Sequence, residues 1–234
     1  MHVKKTLGKI IPKYAILPLF LLVFMNAITY NGSKIITNSM VHHNASIFID
    51  HYIPFWPFFI SFYILAFGEW IVGYILIARE SKEYCYRYFS AELIAKTICL
   101  FFFLVFPTTM ERPLADGEGL WLFLTRFIYS MDASVNLFPS IHCLESWMCF
   151  RGSQGLKKVP KWYKYFIFFF SVCVCLSTVF VKQHVFIDII GGILAVEIGL
   201  FIAKKWNTGR LFSQIEMKLT RKCSRGSSYE SRGK

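Results

Sequence analysis

Charge is scarce in this chain. Asp, Glu, Lys and Arg make up 17% of the 234 residues, whereas hydrophobic residues reach 55%, above the roughly 45–50% of soluble domains. That balance excludes a charge-solvated, disordered chain and makes an integral membrane protein the first class to test. Acidic residues are the rarer sign, 14 against 26 Lys and Arg, for a formal net charge of +12. In a soluble chain such an excess suggests nucleic acid. Here the basic residues flank apolar runs, so they read as membrane topology and no nucleic-acid partner is expected.

Metal-type cysteine spacing is also missing. Cys85, Cys99, Cys143, Cys149, Cys173, Cys175 and Cys223 form no C-x-x-C pair and lack the density of a secreted disulfide scaffold. Most fall inside apolar runs and read as buried free thiols. No small-x-small cleavage site follows the first apolar run, which continues as MNAITYNGS, so that run reads as an uncleaved helix rather than a signal peptide. No internal repeat supports an inverted-repeat transporter.

What the chain does have is six apolar runs: Tyr14 to Tyr30, Phe55 to Ala78, Leu93 to Phe106, Ser140 to Phe150, Trp162 to Val181 and Val185 to Ala203. A helix needs about 20 apolar residues to cross about 30 Å of hydrocarbon, because lipid offers the backbone no hydrogen-bond partners. The third and fourth runs are short. The expected fold is all-α, an integral membrane six-helix bundle over residues 1–203, followed by a basic tail over 204–234 that touches anionic headgroups and is partly disordered.

Orientation follows from the placement of Lys and Arg. One side holds Lys4, Lys5, Lys9 and Lys13, then Arg79, Lys82 and Arg87, then Arg151, Lys157, Lys158, Lys161 and Lys164, and all those beyond residue 203. The other holds Lys34, Arg112, Arg126 and Lys182. Both termini are therefore expected to be cytoplasmic, with Lys96 snorkelling to the cytoplasmic interface from the first turn of the third helix. The compact chain, with little beyond its helices, suggests a bacterial cytoplasmic membrane.

Three stretches on the outer side carry polar residues that a plain connector would not need. MERP supplies Arg112, NLFPSIHCLES supplies Ser140 and His142, and KQHVFID supplies Lys182, His184 and Asp188. His184 and Asp188 are four apart, so on one helical face the carboxylate can fix the imidazole tautomer and free the other nitrogen as nucleophile or base. An aspartate one turn inside a membrane helix is unfavourable without a role. Pro139-Ser140 opens a helix whose free N–H groups suit an anion, and Arg112 adds a planar fork for phosphate oxygens. Each has a bland alternative, as an interfacial or capping residue, but together they suit phosphoryl transfer through a phosphohistidine. His42, His43, Asp50 and His51 are too loosely spaced for a metal site.

These residues resemble the type 2 phosphatidic acid phosphatase superfamily, six-helix membrane enzymes whose motifs read K-x6-R-P, P-S-G-H and S-R-x5-H-x3-D. Here the first survives as Arg112-Pro113 with Val105 at the lysine position, and the second reads Pro139-Ser140-Ile141-His142. The third runs from Ser177 through Thr178, in the arginine position, to His184 and Asp188. The resemblance implies that His184 attacks phosphorus, Asp188 orients it and His142 protonates the leaving group. Arg112, Ser140 and the helix N-terminus would hold the phosphoryl oxygens, with Lys182 placed to replace a lost cation and no metal or other cofactor involved.

The expected activity is that of a membrane lipid phosphatase acting at the outer face, on phosphatidic acid, a phosphatidylglycerol phosphate or a polyprenyl diphosphate. Its partners are then a lipid phosphate and the surrounding membrane lipids. A lipid phosphotransferase similar to the sphingolipid synthases, which also lack some of those cations, is the alternative; a non-catalytic transporter or scaffold is a third. GLWLFLTRFIYS, residues 119–130, reads as an amphipathic in-plane segment that guides lipid entry, or as a re-entrant loop packed on the bundle.

Overall fold

A computed structural model describes residues 10–218. Its first helix, α1 (Lys13–Thr37), is long enough to cross a membrane and contains a π-helical turn at Ile28–Gly32. A loop follows with a two-residue strand, β1 (His43–Asn44), and leads to α2 (Ile60–Glu80). Then come α3 (Lys82–Val105), β2 (Thr108–Thr109), α4 (Leu120–Met131), α5 (Ile141–Gln154), α6 (Lys161–Phe180) and α7 (Phe186–Trp206). Five of these, α1, α2, α3, α6 and α7, are long and apolar enough to span a bilayer.

The fourth expected span is α5, and its 14 residues rise only about 21 Å at 1.5 Å per residue, short of a full crossing. It is shielded on several sides, packing against α2, α6 and α7. Helix α3 departs furthest from expectation. It begins eleven residues before Leu93, where Ser81 accepts the Tyr84 N–H at 3.1 Å as N-cap and Glu83 sits in the first turn. Lys96 therefore lies deep in the helix and does not snorkel. It is 2% exposed, and its Nζ pairs with Glu92 at 2.9 Å and with Glu145 of α5 at 2.7 Å.

Small residues set the closest approaches, as is usual where helices meet in a membrane. A Cβ on Gly199 of α7 would come within 2.4 Å of the Ala91 carbonyl oxygen of α3, and one on Gly192 within 2.6 Å of the Ser140 carbonyl oxygen. Small side chains, among them Ala91, Ala95, Cys99 and Ala195, pack with Phe103, Leu144 and Met148 in the core between α3, α5 and α7. The six described cysteines are all free, and five are buried; Cys223 lies outside the described residues.

The ends of the bundle are distinct. At one end, β1 pairs in parallel with β2, Trp56 N–H reaches Phe180 O, and Asn136 bonds Ser33 and Thr37. At the other, Tyr14 bonds the Ala78 carbonyl, Lys158 the Arg79 and Glu80 carbonyls, and Thr208 bonds Ser90. The described chain thus starts and stops at the same end. The expected tail begins inside α7, and residues 209–218 form a further helix that buries Phe212 against Tyr86 and pairs Glu216 with Lys82. The segment expected to be disordered lies outside the described residues.

Candidate active site

The turn between α6 and α7 builds the core of the site. Two N–H groups, of Gln183 and His184, converge on the Thr178 carbonyl at 2.9 and 3.0 Å, and Lys182 takes the left-handed φ of 52° that the tight reversal requires. His184 Nδ1 then lies 3.1 Å from Asp188 Oδ2, which also accepts the Val185 N–H at 3.1 Å. Asp188 is fully buried. With the carboxylate accepting, the ring proton sits on Nδ1 and Nε2 carries the lone pair. Burial works against the His184 imidazolium, but Asp188 outweighs it, and the pKa ends above the ordinary 6.5.

His142 opens α5 on the facing wall, its ring centroid 6.3 Å from that of His184. It is gripped by aromatics: Tyr63 stacks on it at 4.0 Å, with its hydroxyl 3.4 Å from Nδ1, and Trp70 lies 5.1 Å away. Its Nε2 has no partner among the described residues. Both histidines line a cavity of about 300 Å³ whose other walls include Phe67, Trp70, Phe103 and Asp132. His184 also lines a second cavity of about 380 Å³, shared with Lys182, His51 and Ser46.

The other expected site residues are placed differently. Arg112 is tied to the turn that carries His184 through Gln183, whose Oε1 it binds, while Nη1 donates to the Asp132 carbonyl at 2.5 Å and the guanidinium lies 4.8 Å over the Tyr129 ring. Arg112 Nε and Gln183 Nε2 are buried donors without partners among the described residues. Ser140 is fully buried as the N-cap of α5, its hydroxyl accepting from Cys143 N at 3.4 Å and its own N–H donating to the Asp188 carbonyl at 3.1 Å. It lines neither cavity. Lys182 Nζ is held by the Asp50 and Ile53 carbonyls, so its cation belongs to the second cavity. Asp50 itself is bound by the Phe186 and Ile47 N–H groups.

Sequence reasoning missed three residues here. Gln183 links Arg112 to the turn, Tyr63 holds His142, and Asp132 lines the cavity of both histidines. Only Gln183 lay within a stretch already singled out. At the positions where the resembled motifs carry Lys and Arg, Val105 is 63% exposed, and Thr178 is buried with its hydroxyl donating to the Cys175 carbonyl. Helix α4 leaves Leu120, Phe123, Phe127 and Met131 exposed along one face and buries Thr125. That pattern matches an amphipathic helix rather than a loop. Compared with known proteins, the chain matches no family model, no curated protein and no solved structure.

Proposed function

We propose that the protein is a membrane lipid phosphatase of the type 2 phosphatidic acid phosphatase kind, working through a phosphohistidine. The carrying observation is the His184–Asp188 pair facing His142 across one cavity. In this reading His184 Nε2 attacks phosphorus, the N–P bond forming as the bond to the lipid oxygen breaks, and His142 gives that oxygen its proton. Water then takes the phosphoryl group in the second step, losing a proton to His142. Arg112, the free Gln183 amide and the N-terminus of α5, capped by Ser140, stabilise the equatorial oxygens, with Lys182 at the outer cavity.

The same reading makes α5 the sixth element of the bundle, puts both termini in the cytoplasm and turns the site outward, in a bacterial cytoplasmic membrane. The distribution of cations supports it. Among the described residues, Lys13, Arg79, Lys82, Arg87, Arg151, Lys157, Lys158, Lys161, Lys164, Lys204, Lys205, Arg210 and Lys218 belong to the end away from the site, against Lys34, Arg112, Arg126 and Lys182 near it.

Phosphotransfer to a lipid alcohol is the second reading. An acceptor must attack phosphorus in line, from the position the leaving group vacated, and that position lies in the largely apolar cavity of His142, where an alcohol competes well with water.

The deciding experiment measures phosphate release by purified protein from a panel of lipid phosphates, in the presence of a chelator, beside His184→Ala. Release that vanishes in the variant supports the phosphatase. No release without acceptor lipid, together with a new phospholipid when diacylglycerol or ceramide is added, supports transfer instead.

A further inference from the structure

One carboxylate in the cavity has no part in the phosphoryl step. Asp132 caps the C-terminal end of α4 and lines the cavity together with His142 and His184. Both of its side-chain partners, the Tyr30 hydroxyl and the Lys34 ammonium, bind Oδ1. Oδ2 accepts no hydrogen bond from any described residue, and the side chain keeps 21% of its surface exposed. Tyr30, which delivers the first partner, lies in the π-helical turn of α1, a distortion often found where a helix serves a site. Asn26, one turn earlier on α1, lines the same cavity with a buried Oδ1 that has no partner.

A carboxylate and an amide oxygen beside a phosphate site are out of place for binding phosphate, since like charge and lone pairs repel it. Both are acceptors. They call for a hydrogen-bond donor on the ligand, and a buried acceptor left unmatched is costly. The leaving alcohol lies on the side of the general acid, hence in this cavity.

We propose that Asp132, with Asn26, reads the alcohol part of the substrate and selects lipid phosphates with a free hydroxyl on the carbon next to the phosphorylated one. Phosphatidylglycerol phosphate and lysophosphatidate carry such a hydroxyl. Phosphatidic acid offers ester oxygens there, and a polyprenyl diphosphate offers only carbon, so neither supplies a donor. The inference rests on the lipid-phosphate reading of the site but not on whether the phosphoryl group passes to water or to an alcohol.

The test is therefore binding, with a matched pair of non-hydrolysable lysophosphatidate phosphonates that differ only in a 2-hydroxyl or a 2-methoxy group. Purified protein binds the hydroxyl compound about tenfold to a hundredfold more tightly, the range expected for a hydrogen bond to a charged group. Asp132→Asn and Asn26→Leu each bring the ratio toward one; the leucine leaves the Lys34 pair intact and suits a membrane helix. A ratio near one in the unaltered protein, or a preference for the hydroxyl compound that survives both substitutions, overturns the proposal, as does failure of the hydroxyl compound to bind. Selective binding without phosphate release from lysophosphatidate itself would leave the proposal standing and remove the hydrolase reading alone.

Discussion

At the scale of single residues, the reactivity of the site depends on which form of His184 is populated. Asp188, Asp132, Cys143 and His142 face it, and the net effect raises its pKa above 6.5. In the proposed mechanism the nucleophile must be neutral and the general acid protonated, so kcat/KM is expected to pass through a maximum with pH, and the limb set by His184 should lie above the pKa of a free histidine. Asp188→Asn removes the carboxylate that raises the pKa and fixes the tautomer. That limb should then move to lower pH, while the maximal rate falls by about 10³-fold or more, as when a histidine loses its orienting acid elsewhere. A pH–rate profile of both proteins checks the shift and the loss together. This pair was legible in the sequence because its partners are four residues apart at a helix start. Asp132 was not, since its partners Tyr30 and Lys34 are about a hundred residues away and no periodicity connects them.

At the scale of helices, two contacts decide whether His142 faces His184. Gly192 allows the start of α5 to lie on α7, and an added Cβ would meet backbone atoms of Ser140 at 2.6 Å and Leu144 at 3.1 Å. Gly192→Ala should displace the first turn of α5 and lower kcat by about tenfold or more, with the helical circular dichroism spectrum retained. Deeper down, Lys96 bridges α3 and α5 through Glu92 and Glu145. Lys96→Met leaves two buried carboxylates without their cation, a loss of up to about 3–5 kcal/mol when a buried pair is broken, moderated by protonation of the acids. Thermal unfolding in detergent should show a lower midpoint, and adding Glu92→Gln and Glu145→Gln should recover most of it. The same contact explains why Lys96 was misread as interfacial: its charge looks like the edge of a span until Glu145, far along the chain, is brought beside it.

For the whole molecule, the apolar runs and the bias of Lys and Arg were enough to show a helical membrane protein, because hydrocarbon leaves the backbone few solutions. The short α5 was the weak point: enclosed by α2, α6 and α7, it has no need of a full-length apolar surface. The arrangement makes one demand that is independent of any activity. Glu118, just before α4, and Lys157, in the turn before α6, are both exposed, and they belong to opposite ends of the bundle if the contacts at Trp56–Phe180 and Lys158–Arg79 mark those ends. A cysteine placed at either position, in a Cys223→Ser background whose six remaining thiols are described and all but Cys173 buried, reports the side directly. With the site turned outward, a membrane-impermeant maleimide should label Glu118→Cys in intact cells and Lys157→Cys only after the membrane is opened. The reverse pattern would face His184 toward the cytoplasm, where its lipid would have to come from the inner leaflet. Labelling of both from outside would mean that α5, the one element between them that the proposed topology sends across the membrane, does not cross, and that the five long helices leave the two termini on opposite sides.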